Sequence, residues 1–360
     1  MTNLLRIPGM IDPHVHMRDL EWAHKATFAS ETAAALAGGY WMVMDMPNTP
    51  PVTTTRPAVE QKRAAMQAQA VCDWGFYIGA SQDGNEAEYP YIAPLACGLK
   101  IYNNATTGTL LIEDQAVRER HYQAWPHGKP IAVHAEDETV DEILALVRQY
   151  RKHTHFCHIS TQYEIETLRA AKAEGLPISV GVTPHHLYLV EDDIKHLGTL
   201  GHMKPTLKRP ADRDALWAGI ADGLVDVVES DHAPHTLEEK QSSKPPYGVP
   251  GLETTLPLMG LAVHEKRITV ERLIDLLALN AQRIWRLTPD AATYTLVELE
   301  SPDLIERSRL RSRCGWSPFE GMKVYGKVRE VWIRGTQVYD GEAILVAQGF
   351  GRNGMIRDGE

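Results

Sequence analysis

The sequence predicts an α/β protein: a closed (β/α)8 TIM-type barrel with a small β appendage from the C-terminal tail. Three observations lead there. Eight short, apolar, β-rich runs alternate with longer helical-looking stretches, and such alternation specifies a parallel sheet. No GxGxxG follows the first run, which counts against the competing fold, an open doubly wound sheet. A chain of 360 residues, 43% hydrophobic and 23% charged, has the length and composition of one such barrel.

The expected strands cover residues 9–14, 40–44, 74–79, 98–102, 130–134, 154–158, 178–182 and 226–230. After the first comes a helix over 26–37, stopped by Gly38 and Gly39. The helix over 57–70 opens on a proline, which a first helical turn tolerates. Further helices are expected over 113–124, 138–151, 161–174 (ended by Gly175 and Pro177) and 211–222 (opened by ADRD). Residues 256–285 read as one or two more helices. Residues 290–315 are charged and irregular and carry no assignment. In the tail, KVYGKV, EVWIRG and TQVYDG read as short strands with turns. The expected division is a barrel over 1–315 and a β appendage over 316–360.

Charge and composition exclude several classes. The net charge of −10 lacks the basic footprint of a nucleic-acid binder. Cys72, Cys97, Cys157 and Cys314 are far apart and form no CxxC, which argues against a disulfide framework and for a reducing compartment. The start, MTNLLRIPGM, has no long apolar stretch, and no later run of 18 apolar residues occurs. The expectation is a soluble, cytoplasmic protein with no membrane span.

The expected strands end in polar residues. The first runs into Ile11-Asp12-Pro13-His14-Val15-His16-Met17-Arg18-Asp19. Side chains two apart on a strand share a face, so His14 and His16 form half of a divalent-metal site. Lys100 lies on the fourth strand, His134 ends the fifth, His158 the sixth and Asp231 the eighth. Singly, each has a bland explanation: a hydrogen-bonded structural histidine, a snorkelling lysine, a capping aspartate. Together they converge on the C-terminal rim, where barrel enzymes keep their functional residues. Lys100 is the odd member, because an ammonium repels cations. Desolvation in an apolar strand favours the neutral amine, which can take up carbon dioxide. The resulting carbamate is an anionic, two-oxygen ligand able to bridge two metals, and the donor set suits zinc.

These residues resemble a known family, the dihydroorotases of the amidohydrolase superfamily, and most of all the dihydroorotase domain of the animal multifunctional pyrimidine-synthesis protein. The resemblance runs from PGMIDPHVHMRD through MPNT, GLKIY, AVHAE, CHIS, TPHHLYL and SDHAPHTLEEK to WSPFEGMKVYGKV. It implies two zinc ions, one on His14, His16 and Asp231, the other on His134 and His158, bridged by N6-carboxylated Lys100. The implied reaction is the reversible cyclisation of N-carbamoyl-L-aspartate to L-dihydroorotate in pyrimidine (UMP) biosynthesis. Zinc-activated hydroxide attacks, and Asp231 is the general acid/base. Arg18, with a guanidinium fork shaped for a carboxylate, is implied to clamp the substrate with Asn48 and His235. Tyr247 and Gly248 match positions that hold the pyrimidine ring through the backbone, and Thr106 matches a threonine on a closing loop. Lys204 stands where many bacterial members have an asparagine near that ring. Gly181 stands where animal-type relatives have a glutamate linked to an additional metal position, so two zincs are expected. A homodimer and association with aspartate transcarbamoylase are implied as well. The nearest rival is an allantoinase or hydantoinase, against which MPNT and HAPH favour a carboxylate-bearing pyrimidine. The rival from another class is a non-catalytic scaffold for aspartate transcarbamoylase, against which the complete set of ligands counts.

Overall fold

The computed structural model describes residues 4–356, so the outermost ends of the two expected divisions, 1–3 and 357–360, lie outside the described residues. After β1 (Leu5–Pro8) come the eight barrel strands: β2 (Met10–Val15), β3 (Tyr40–Asp45), β4 (Asp73–Gly79), β5 (Gly98–Tyr102), β6 (Ile131–His134), β7 (Thr154–Phe156), β8 (Ile178–Val182) and β9 (Val227–Val228). They pair in parallel and in sequence order. The ends of the sheet meet at a parallel bridge between Val15 and His232, where His16 N–H donates to the His232 carbonyl at 2.7 Å. The barrel expected from the alternation is therefore present. Every barrel strand is buried along its whole length, which is why each reads as a continuous apolar run.

The helices between strands carry their own start signals. Thr27 and Ser30 form a capping box at helix Phe28–Ala37. Thr161 and Glu164 do the same at Gln162–Ala173, and Glu164 also accepts the N–H of Ser160 and Asp137. Residues 252–285 form three helical segments, Leu252–His264, Val270–Ile274 and Asn280–Trp285, the last two joined by a π turn over Asp275–Leu279. No helix among the described residues is long and apolar enough to cross a membrane. The four cysteines are free and buried.

Two strands are shorter than expected, for one reason. β7 stops at Phe156 and β9 at Val228, because His158 (φ 38°) and Asp231 (φ 44°) turn the backbone into the left-handed region. Both are residues expected at the rim.

The appendage is a four-stranded antiparallel sheet in the order β1, β10 (Tyr294–Glu298), β13 (Lys327–Ile333), β14 (Thr336–Tyr339). A two-stranded ribbon of β11 (Asp303–Leu304) and β12 (Lys323–Val324) lies beside it in sequence. β13 and β14 turn through Arg334 and Gly335, both at positive φ, as a two-residue hairpin requires. Two of the four strands thus come from before residue 316. We propose 315/316 as the boundary after which the last two strands of the appendage, β13 and β14, follow. A 1–315 fragment that melted cooperatively on its own would make it a folding boundary too, and an unfolded one would not.

Candidate metal centre and carboxylate pocket

The rim is built from strand ends. His14 and His16 are buried side by side, their ring centroids 5.5 Å apart. Oδ1 of Asp231, delivered by the turn after β9, lies 3.3 Å from Nε2 of each. Across the barrel, Nδ1 of His134 approaches Nε2 of His158 to 3.1 Å. The His14 and His158 rings, 5.1 Å apart, join the two halves.

Three of the four ligand-type rings face a polar side chain. Oδ1 of Asn48 accepts from Nδ1 of His16 at 2.8 Å, which leaves Nε2 free of a proton and turned to Asp231. Oε1 of Glu136 stands 2.9 Å from Nε2 of His134, which leaves Nδ1 for the centre. Oε1 of Glu229 lies 3.5 Å from Nδ1 of His14. Burial, with Lys100 nearby, pushes His14 down to about 4, and burial likewise lowers His16, His134 and His158. These rings are therefore neutral at pH 7, the form that binds metal.

Lys100 is fully buried on β5, its Nζ 3.2 Å from Sγ of Cys157 and over the Tyr102 ring. It has no ion-pair partner among the described residues. Nδ1 of His14, Nδ1 of His158 and Nε2 of His185 are buried without hydrogen-bond partners. Neutral imidazoles, a carboxylate and these orphaned nitrogens fit a metal centre.

Arg18 enters the same space from the other side. Its Nε donates to the Pro234 carbonyl at 3.1 Å. Lys25 Nζ donates to Nδ1 of His235 at 3.1 Å, so the His235 proton sits on Nε2 and goes to the Tyr247 carbonyl at 3.0 Å. Nη2 of Arg18, 3.0 Å from that same Nε2, therefore finds no acceptor there, and Nη1 is buried without a partner. The two outer nitrogens of the guanidinium are free to hold an anion. Burial with Arg18 and Lys25 alongside drives His235 far below its ordinary range, so it adds no positive charge.

All of the expected residues except Lys100 and His235 line one enclosed cavity with Tyr102, Thr107 and Ala233. Lys100 reaches it behind Tyr102 and Cys157, and His235 through Arg18 and Tyr247. Thr106 lines the cavity, but its neighbour Thr107 makes the contacts: its hydroxyl donates to the Tyr247 carbonyl at 3.1 Å, and its carbonyl accepts from Asn48 Nδ2 at 2.8 Å. Lys204 Nζ stands 5.5 Å from the centre of the Tyr247 ring. At Gly248 (φ 132°) a Cβ would fall 2.7 Å from that of Ala233, so glycine is required there. The sequence reading missed the aiming roles of Glu136 and Glu229 and the presence of His185, which is buried near enough to Asp231 for each to bias the other's proton. The Cys157 thiol is buried, and its Sγ joins His14 and Glu229 in a second group with metal-ligand spacing. Glu136 lies two residues past His134 in AVHAE, a local spacing that signals the contact, whereas His185 in TPHHLYL is brought to the centre by the fold and leaves no local spacing to read.

Fold and site together define a parallel α/β barrel whose rim gathers residues that could hold a metal. The chain matches the amidohydrolase family ("Amidohydrolase family") over residues 5–338. It is 42% identical over 351 residues, 97% of its own length, to "Multifunctional protein CAD" of Squalus acanthias. It is 34% identical over 380 residues to a "Dihydroorotase" of Halobacterium salinarum, covering 95% of this chain and 88% of that one. A solved L-hydantoinase (dihydropyrimidinase) from Arthrobacter aurescens superposes with a TM-score of 0.91 at 25% identity, over 97% of this chain and 88% of that one. The chain spans 16% of the length of the multifunctional relatives it matches. It belongs to the amidohydrolase family and, within it, to the dihydroorotases.

Proposed function

We propose that the chain interconverts N-carbamoyl-L-aspartate and L-dihydroorotate, the ring-closing step of pyrimidine synthesis. The observation that carries this reading is the Arg18 guanidinium, its Nη1 buried without a partner, in the same cavity as the histidine–carboxylate set. A hydantoin has no carboxylate to give it.

In this reading His14, His16 and Asp231 would hold one zinc, His134 and His158 a second, and carboxylated Lys100 would join them. When bound, the metals supply an acidified water near neutral pH and a Lewis acid for the ring carbonyl. The remaining work falls to the chain. Arg18 takes the substrate carboxylate, with Asn48 and His235 bounding its position. The backbone at Tyr247 and Gly248 faces the ring, and Lys204 borders it. In ring opening Asp231 accepts the proton of the attacking water and returns it to the leaving ring nitrogen; in closure it starts protonated. The segment carrying Thr106 and Thr107 spans from Asn48 to the Tyr247 wall and excludes water.

We infer further a homodimer, cytoplasmic location and association with aspartate transcarbamoylase, because the multifunctional relatives carry the matching segment within a far longer chain. Light scattering of the chain alone and mixed with that enzyme tests both associations; a monomer that ignores it refutes them.

The deciding experiment is a spectrophotometric assay on dihydroorotate, hydantoin and allantoin, with metal analysis. Turnover of dihydroorotate with two zincs per chain is expected; activity on hydantoin alone overturns the reading. Asp231→Ala should lower kcat at least ~10²–10⁴-fold while circular dichroism stays unchanged. Near-normal turnover in that variant would remove Asp231 from the proton path.

A further inference from the structure

One buried charge has no part in the reading above. Glu229 is fully buried between β9 and Asp231 and belongs to neither expected zinc set. Its Oε1 accepts the backbone N–H of His158 at 2.7 Å and lies 3.5 Å from Nδ1 of His14; its Oε2 faces Nε2 of His155 at 3.1 Å. A single carboxylate thus touches the ring of one ligand and the backbone of another, on opposite halves of the centre. Space for it comes from Gly181 on β8. A Cβ at that position would stand 2.6 Å from Oε1 and 2.8 Å from Cδ of Glu229.

We propose that Glu229 is a positioning residue that couples the two halves of the metal centre. It stands 3.5 Å from Nδ1 of His14, where its charge favours the tautomer with the proton on that nitrogen, which leaves Nε2 bare and turned to Asp231. By accepting the N–H of His158 it holds that residue in its left-handed conformation, which aims the ring at His134. The backbone of His158 would otherwise be free to relax into the line of β7. The opposing role is that of a third metal ligand, since His14, Cys157 and Glu229 offer atoms within 4.8 Å of one another. The contacts favour positioning, because both carboxylate oxygens already face N–H donors. The proposal rests on the two-metal reading, not on the identity of the substrate.

The test compares the parent with Glu229→Gln and with the double variant Glu229→Ala/Gly181→Ala. The double variant returns a methyl group to part of the space the carboxylate leaves, so some packing is recovered and the charge is not. Metal-free protein is titrated with zinc against a chromophoric chelator, and histidine N–H signals are followed by NMR in the zinc-loaded form. Both variants should fold, bind two zincs and show about 10–100-fold weaker zinc affinity, the usual cost of losing such a partner. The double variant should also lose the Nδ1–H signal of His14. Parent-like affinity in the double variant would reduce Glu229 to a space filler and overturn the proposal. A parent that binds three zincs, with Glu229→Gln binding two, would overturn it as well and make Glu229 a ligand. None of these readouts involves substrate, so failure on dihydroorotate would leave this result standing.

Discussion

Arg18 begins a run of three left-handed residues, with φ of 63° at Arg18, 64° at Asp19 and 49° at Leu20. Each costs about 1–2 kcal/mol in a non-glycine residue, so the surroundings must impose the conformation. They do: the Asp19 carboxylate accepts the N–H of Leu20 and of Phe28, and the Asp19 N–H donates to Ala26. The bend throws Arg18 out of the line of β2 and into the cavity. Arg18→Lys keeps the charge but cannot offer two parallel N–H groups. KM for dihydroorotate should rise about 10–100-fold, by the roughly 1.4–3 kcal/mol a charge-assisted hydrogen bond carries, with zinc content unchanged. Steady-state kinetics with metal analysis reads both, and an unchanged KM would take the carboxylate away from Arg18. At this scale the legible part was the ligands themselves, because His14 and His16 follow the strand period. Their partners were not legible. Asn48 sits in MPNTP, a setting that suggests a turn residue, yet its side chain crosses to His16 on a neighbouring strand.

At the scale of elements, all eight barrel strands were readable because burial on both faces makes each an unbroken apolar run. The appendage was half readable. β1 and β10 are short, half-buried or exposed at their outward positions and lie in proline-containing or charged sequence, so neither stood out. The walls of the site were the least visible, since loops take their shape from distant groups. Lys240, fully buried, shows how. Its Nζ donates to the carbonyls of His202, Pro246 and Gly248 and lies 5.6 Å from the centre of the Trp316 ring. Burial pushes it down to about 7, yet three carbonyl acceptors need three protons, which only the ammonium supplies. Lys240 thereby pins the Tyr247–Gly248 wall to the segment leading to Lys204. Lys240→Met should fill the volume, release the wall and raise KM roughly 3–30-fold, in line with about 0.5–2 kcal/mol per lost hydrogen-bonded anchor. Zinc affinity should not move. A fall in zinc affinity of the same size would mean that the wall and the metal centre are one cooperative unit.

Over the whole molecule, the folded state holds many of its 16 histidines neutral in the interior, and this ties stability to pH. His153 and His186 lie outside the expected ligand sets. Burial, with His155 nearby, pushes His153 down to about 4, and burial likewise pushes His186 down to about 4 despite its contact with the Pro205 carbonyl. In the unfolded chain both take up protons near the ordinary histidine value of about 6.5. Between these limits the unfolded state binds more protons than the folded one, so stability is full above about pH 6.5 and falls as pH drops towards 4. Glu229 acts in the same sense: burial pushes it up, but its histidine neighbours hold it below its ordinary range, and it loses its contribution in still stronger acid. Removing metal exposes this trend, because bound zinc would compete with protons for the ligand rings. The metal-free protein should therefore melt at progressively lower temperature from pH 7 to 4.5, with a loss on the order of a few kcal/mol. His153→Asn should flatten the slope without changing zinc content. A melting temperature that stayed level over this range would mean that the buried rings are already protonated in the fold.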